Sequence, residues 1–288
     1  MPKILAVVVT FNALPWIDRC LESLKESTLK PDIFVVDNYS LDGTAEYVPE
    51  HFAEVIFRPQ EENIGFGAAN NLGFRYALDN GYDFVYLMNQ DAWVQPDTLE
   101  KLVAACSGQY AVLSPVQTNA KGRKMDKNFE RKCKKYLKAA PSGTEVVQVP
   151  FVMAAHWLVG IGALKTVGGF SPAFKQYGED DNWIHRASYF GFDVGVVPAA
   201  KAVHDRAKRT EDRERKLKVK CVSSVVRLSN PSGGYFGKML LEPLRLLGMT
   251  VWNFSLIPVK TIPSLVKRYR ELGRLREASR TPGAFLTE

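Results

Sequence analysis

Three short runs of uninterrupted apolar residues limit what this chain can fold into: residues 4–9, 33–36 and 84–88. A strand with one wet face alternates apolar and polar side chains. A run without alternation is covered on both faces, as the central strands of a parallel sheet are. Each run stops at polar residues: Thr10-Phe11-Asn12, then Asp37, then Asn89-Gln90-Asp91. Segments with helical spacing lie between them, over 15–26 (Ile17, Leu21, Leu24), after Asp42-Gly43-Thr44, and over 67–78. A third short strand is expected at 54–57. Strand and helix thus alternate as βαβ units do, which predicts an α/β fold with a doubly wound, mostly parallel sheet. Ligands of such sheets sit outside the carboxyl ends of the strands, where these polar stops fall.

Further along, 99–105 reads as a helix and 111–114 as a strand. Residues 118–145 break the pattern. They are rich in Lys and Arg, show little hydrophobic period and end near Pro141-Ser142-Gly143, so they read as a basic excursion or flexible loop. Strand character returns at 146–155, followed by helices at 164–169 and 179–190 and a strand at 194–197. Beyond Asp205 the chain becomes helical, basic and amphipathic. The expected division is 1–206 (1–117, 118–145 and 146–206), followed by a helical extension over 207–288.

The net charge of +7 favours anionic partners, although solvated helix faces explain most basic surfaces. No nucleic-acid-binding motif accompanies it. The four cysteines are widely spaced and form no C-x-x-C pair, which fits reduced thiols in a cytoplasmic protein better than a zinc or redox site. Residues 4–9 are too short a run for a signal peptide. The longest apolar region, 240–259, is interrupted by Glu242, Pro243, Arg245 and Pro258, so it is expected to lie on a membrane or pack on protein rather than span a bilayer.

Four places carry chemistry. Asp91, one residue from Asn89 at a strand end, suits a hard divalent cation on a diphosphate; alternatively it is a turn residue. Asp37 ends another strand and suits a base N–H or a ribose hydroxyl, or else a turn. The stretch from Asn63 through Gly65, Gly67 and Asn71 to Gly73 lets backbone approach a phosphate at a helix start. It is not a dinucleotide fingerprint, because Asn70 stands where the third glycine belongs. Glu179-Asp180-Asp181 crowd three carboxylates into a first helical turn. That composition suits simple helix-end electrostatics, and equally a general base whose pKa is raised by its neighbours. Arg186, further along that helix, is positioned to pair with the cluster. Trp157 and Trp183 are acceptor-pocket candidates by sugar stacking, with core packing as the alternative.

Taken in order, Thr10-Phe11-Asn12, the Asp37-to-Thr44 turn, the Asn63–Gly73 stretch and Asn89-Gln90-Asp91 resemble the family-two glycosyltransferases, inverting enzymes with the GT-A fold. Within them the chain looks most like the bacterial rhamnosyltransferase-like branch, over roughly residues 3–206. The resemblance implies a nucleotide-sugar donor, UDP- or dTDP-linked, held by Thr10, Asn12, Asp37, Asn63, Gly65, Gly67, Asn71, Asn89 and Asp91. It implies Asp180 of the Glu179-Asp180 pair as base, with Asp181 an unusual extra acid that competes for the role, and Asp91 with His204 on a Mg²⁺ or Mn²⁺ ion. The family's metal motif is usually Asp-x-Asp; Asn89 in its first position removes one charge and weakens the case for a metal. The acceptor implied is a hydroxyl of a cell-surface polysaccharide or lipid-linked glycan. The basic tail then suggests peripheral contact with the inner face of the membrane, or a homodimer through the C-terminal helices. Two alternatives stay open: a sugar nucleotidyltransferase, and a catalytically weak nucleotide-binding scaffold on the same fold.

Overall fold

The computed structural model describes residues 1–206 and 212–286; the expected start of the extension, 207–211, lies outside the described residues. The strands are β1 (Ile4–Thr10), β2 (Asp32–Asp37), β3 (Ile56–Pro59), β4 (Phe84–Asn89), β5 (Ala92–Val94), β6 (Tyr110–Thr118), β7 (Val147–Gln148), β8 (His156–Gly160) and β9 (Asp193–His204). The helices are α1 (Ile17–Lys25), α2 (Thr44–His51), α3 (Phe66–Asp79), α4 (Thr98–Ala104), α5 (Lys127–Ala139), α6 (Ile161–Val167), α7 (Glu179–Tyr189), α8 (Arg213–Ser229), α9 (Tyr235–Asn253), α10 (Ile257–Lys267) and α11 (Tyr269–Ala278).

All the strands join one sheet in the order β3-β2-β1-β4-β8-β6-β9-β5, with β7 also on β9. The strands β3, β2, β1 and β4 are parallel, as the alternation of runs and helices predicts. The second half is mixed. β8 runs antiparallel to β4 and β6, and β5 and β7 run antiparallel to β9, while β6 and β9 are parallel.

The unbroken apolar runs explain the layering. Successive side chains of a strand point to opposite faces. Leu5 and Val7 therefore join one core with Phe34, Phe74 and Trp157. Ile4, Ala6 and Val8 join the other with Ile17, Leu21 and Leu24 of α1. A third core, with Leu228, Leu246, Leu265 and Leu272, holds α8–α11 together and takes in Ala173 and Phe174 from the loop before α7. Asn182 of α7 donates to Ser229 Oγ of α8 at 3.0 Å, and Asn71 of α3 donates to the Phe285 carbonyl at 3.3 Å. The extension is thus fastened to the sheet domain through the end of α8 and again near its C-terminal end.

Two sequence expectations are corrected. The basic stretch is no flexible loop, because it contains α5, capped by Asp126, which accepts from Asn128 N and Phe129 N at 3.0 Å. The helical period is present: Phe129 and Cys133 are buried one turn apart, and Leu137 packs on the same core, but lysines and arginines mask it. The strand expected at 146–155 divides into the short β7 and an irregular segment, and the longer strand, β8, begins at His156.

Trp157 and Trp183 are both fully buried, with ring centroids 5.5 Å apart. Trp157→Ala should lower the unfolding free energy by about 3–5 kcal/mol. Denaturant titration checks this, and a loss too small to resolve would contradict the core placement.

Candidate active site

A cleft of about 830 Å³ opens at the carboxyl ends of β1 and β4. Its walls include Val9 and Phe11 at the end of β1, Asn63, Gly65 and Phe66 at the start of α3, Asn89–Asp91 at the end of β4, one face of α5, Phe151 and Met153–Ala155, the start of α7 and the end of β9. Asp91 and Asp180 both line it. The polar stop after β4 also ties the rim together, for Gln90 Oε1 accepts from Phe11 N at 2.6 Å and Gln90 Nε2 donates to Phe11 O at 3.1 Å.

One corner is built by Asn89, Asp91 and His204. β5 pairs with β9 so that Ala92 stands opposite His204, which brings the histidine to the strand end carrying Asp91. His204 Nε2 lies 3.3 Å from Asp91 Oδ1 and 3.4 Å from Asn89 Nδ2. Asn89 Oδ1 is buried without a hydrogen-bond partner. A carboxylate, an imidazole and an orphaned amide oxygen at one point fit a Mn²⁺-like cation. Among the described residues no third His, Cys, Asp or Glu completes a group of protein ligands, so further ligands would come from phosphate and water. Arg206 donates to His204 Nδ1 at 3.4 Å and reaches Asp126 at 3.4 Å. That corner therefore also presents a cation to an anionic ligand.

The opposite wall is acidic. Gly178, with φ +87°, turns the chain into α7, so that Glu179, Asp180 and Asp181 form its first turn. Burial and then the charge of Asp180 hold the Glu179 carboxyl well above the usual range. Burial, then the charge of Asp181, raises Asp180. Burial also raises Asp181, against the opposing charges of Lys132 and His185. Asp180 is half-buried at the cleft surface and accepts from Asp181 N at 2.9 Å, which leaves carboxylate capacity toward the cavity.

The sequence-derived donor residues separate into two groups. Asn63, Gly65, Asn89 and Asp91 form the cleft wall. Thr10, Asn12, Asp37, Gly67 and Asn71 stand behind it. Asp37 Oδ1 accepts from Thr10 Oγ1 at 2.7 Å and Ser40 Oγ at 2.6 Å. Asn12 Oδ1 accepts from Leu41 N at 2.8 Å. Gly67 packs where a Cβ would come within 2.9 Å of Phe170, and Asn71 braces both Phe170 and Phe285. Asn38, next to Asp37, is the residue that reaches the cleft; its Nδ2 donates to Asn63 Oδ1 at 3.0 Å, and Asn63 Oδ1 also accepts from Gly65 N. Gly65, at φ +86°, lies so close to the Lys175 carbonyl that no Cβ fits.

Two expectations fail here. Trp157 and Trp183 do not line the acceptor pocket; each is enclosed in the core, where Trp157 donates to Val152 O at 3.2 Å and Trp183 to Gly168 O at 2.8 Å. Arg186 does not pair with the acids. It is buried, donates to the Gly169 carbonyl and lies over the Phe285 ring, and burial lowers its guanidinium to about 9. Its position on the helix turns it inward, away from the cleft. Conversely, sequence reasoning missed Arg131 and Lys132 of α5, Lys175, and Arg215, which donates to Tyr177 Oη at 2.6 Å. Asn128, Arg131 and Lys132 share one helical face by their spacing of three and four, which was the available signal.

Residues 5–155 match the family described as Glycosyl transferase family 2, and the chain belongs to that family. It is 26% identical over 283 residues to an N-acetylglucosaminyl-diphospho-decaprenol L-rhamnosyltransferase of Mycobacterium tuberculosis, covering 85% of this chain and 90% of that protein. It is 32% identical over 108 residues to an undecaprenyl-phosphate mannosyltransferase of Micrococcus luteus, covering 36% of this chain and only 44% of that protein's length. A solved mannosyltransferase of Pyrobaculum calidifontis, in complex with GDP-Man and Mn²⁺, superposes with a TM-score of 0.60 at 20% identity, covering 96% of this chain and 84% of that one. The fold is therefore GT-A, a mixed α/β sheet with a helical C-terminal region.

The raised Glu179 carboxyl has a stability consequence. A carboxyl whose folded pKa exceeds its unfolded one favours folding below the unfolded value, and that benefit is lost as pH rises through the folded one. Glu179→Gln should therefore be more stable than the parent by on the order of 1 kcal/mol at pH 8, with the difference shrinking toward pH 4 as Glu179 protonates. Denaturation across that pH range measures it; a variant equally destabilised at every pH would contradict the burial argument.

Proposed function

We propose that the protein transfers a sugar, with inversion, from a UDP- or dTDP-sugar to a hydroxyl of a bacterial surface polysaccharide or lipid-linked glycan. The observation that carries this is a single cleft with Asp91 on one wall and Asp180 on the other. An in-line displacement needs opposed groups of this kind, one side receiving the leaving diphosphate and the other a proton from the incoming alcohol.

Asp180 accepts the acceptor's hydroxyl proton as that oxygen forms its bond to the anomeric carbon. The bond from the anomeric carbon to the diphosphate oxygen breaks, and its electron pair leaves with the diphosphate. Arg131, Lys132, Lys175 and Arg206 line the same cleft and offset the developing negative charge. Asn89, Asp91 and His204 would hold a divalent cation, which when bound supplies Lewis-acid stabilisation of that leaving group. Asn38, Asn63 and Gly65 shape the nucleoside side of the pocket, with Asp37 holding the turn beneath them. The acceptor reading draws on the lipid-linked substrates in the names of the two bacterial relatives. It puts the protein in the cytoplasm, on the inner face of the membrane.

Asp180→Asn should lower turnover by about 10²–10⁴-fold, while thermal shift by nucleotide sugar is unchanged. Because burial and Asp181 raise the Asp180 carboxyl, the parent's turnover should fall with decreasing pH at a value above that of an exposed aspartate, about 4. A variant with undiminished turnover would remove Asp180 as the base. Donor hydrolysis by neither protein would favour a nucleotide-binding scaffold.

A further inference from the structure

The apolar surface of α9 has no use in the cleft. Phe236, Leu240, Leu244, Leu247 and Val251 recur at intervals of three and four and are all exposed, so they form one stripe. Leu241 and Trp252 widen it, while Glu242 and Leu246 face the bundle instead. At the C-terminal end the chain leaves the helix through Phe254 in a left-handed conformation, and Trp252 and Phe254 project with 86% and 93% exposure. Leu256 continues the patch onto α10. So many large apolar side chains in one patch on a folded surface mark an interaction site.

Charge decides the occupant. Residues 207–288 carry 17 Lys and Arg against 7 Asp and Glu, so this segment holds more than the whole net excess of +7. Lys260 and Lys267 follow Leu256 at spacings of four and eleven, on the same stripe of α10. Neither forms an ion pair with any described residue, and both are exposed. A two-fold pairing of this face with a second copy would bring cations toward cations. An anionic bilayer satisfies both features, since acyl chains take the apolar stripe and headgroups take the lysines. Trp252 at the tip suits the interfacial depth where indoles concentrate. No helix among the described residues is long and apolar enough to cross a membrane, which agrees with lying in its plane.

We infer that the α9–α10 face, led by Trp252 and Phe254, docks the protein on an anionic lipid surface. The position relative to the cleft gives this a purpose. Arg213 at the start of α8 donates to the Asn253 carbonyl at 3.1 Å, between Trp252 and Phe254, and Arg215, two residues on, lines the cleft. The inserted tip therefore stands beside the cleft's α8 wall, where a glycan on a lipid carrier would enter. This deepens the lipid-linked acceptor reading and rests on it for purpose only, because docking needs neither donor nor acceptor.

Co-sedimentation of the full chain with phosphatidylcholine vesicles, with and without phosphatidylglycerol at about 30 mol%, tests it. Binding should require the anionic lipid, weaken with salt, and drop at least about tenfold in Trp252→Ser/Phe254→Ser. Because both side chains are exposed, the variant should unfold at the parent's temperature and hydrolyse donor at the parent's rate. A second pair, Lys260→Glu/Lys267→Glu, should lose binding to the anionic vesicles alone. Equal sedimentation of parent and Trp252→Ser/Phe254→Ser would overturn the inference. So would a parent dimer in light scattering that this variant dissociates, which would assign the face to a second copy. Vesicle binding without donor hydrolysis would instead fault the catalytic reading and leave the docking face standing.

Discussion

The parallel pairing of β1 with β4, with Val9 opposite Asn89, decides where the chemistry of this molecule collects. Both strands turn polar within one residue of the same level of the sheet, and Gln90 bonds the two exits together through the Phe11 backbone. A slip of one residue would send Ile4, Ala6 and Val8 to the face now occupied by Leu5 and Val7 and leave neither core filled. The burial of both faces thus fixes the register, and the register delivers Asn89 and Asp91 to the rim. β9 completes the corner because β5 holds His204 level with Ala92.

On that rim the cleft sets basic and acidic groups side by side. The corner with Asp91 and His204 has Arg206 against it, and α5 brings Arg131 and Lys132 along one side. The start of α7 crowds three carboxylates across from Asp91, with the Lys132 charge acting on Asp181. Holding such a cluster half out of water opposes stability, and the displaced carboxyl affinities of Glu179 and Asp180 express that cost. Asn182 ties the same helix turn to Ser229 of α8.

Much of this is legible in the sequence. Uninterrupted aliphatic runs and their polar stops mark the parallel strands directly, because double burial leaves no other composition. Asn63, Gly65, Asn89, Asp91, Asp180 and His204 do meet at the cleft. Thr10, Asp37 and Asn71 belong to the same motifs yet serve behind the wall, and a sequence motif does not distinguish a residue that touches the cavity from one that braces its neighbour. α5 was hidden because its lysines swamp the period of Phe129, Cys133 and Leu137. Trp157 and Trp183 needed tertiary packing to be assigned, since an indole reads alike in a core and in a sugar pocket. Arg186 faces inward for a reason set by how α7 seats on residues 168–170 and 285, which no local pattern encodes.

The proposed reaction divides its labour across one cleft: it requires cation and diphosphate at the Asp91 corner and metal-free acids opposite. Diffraction at the manganese absorption edge, from crystals grown with Mn²⁺ and a nucleoside diphosphate, tests this directly. The predicted result is one anomalous peak within ligand distance of Asp91 and His204, with the diphosphate beside it. A peak among Glu179, Asp180 and Asp181, or a nucleotide bound outside this cleft, would contradict it.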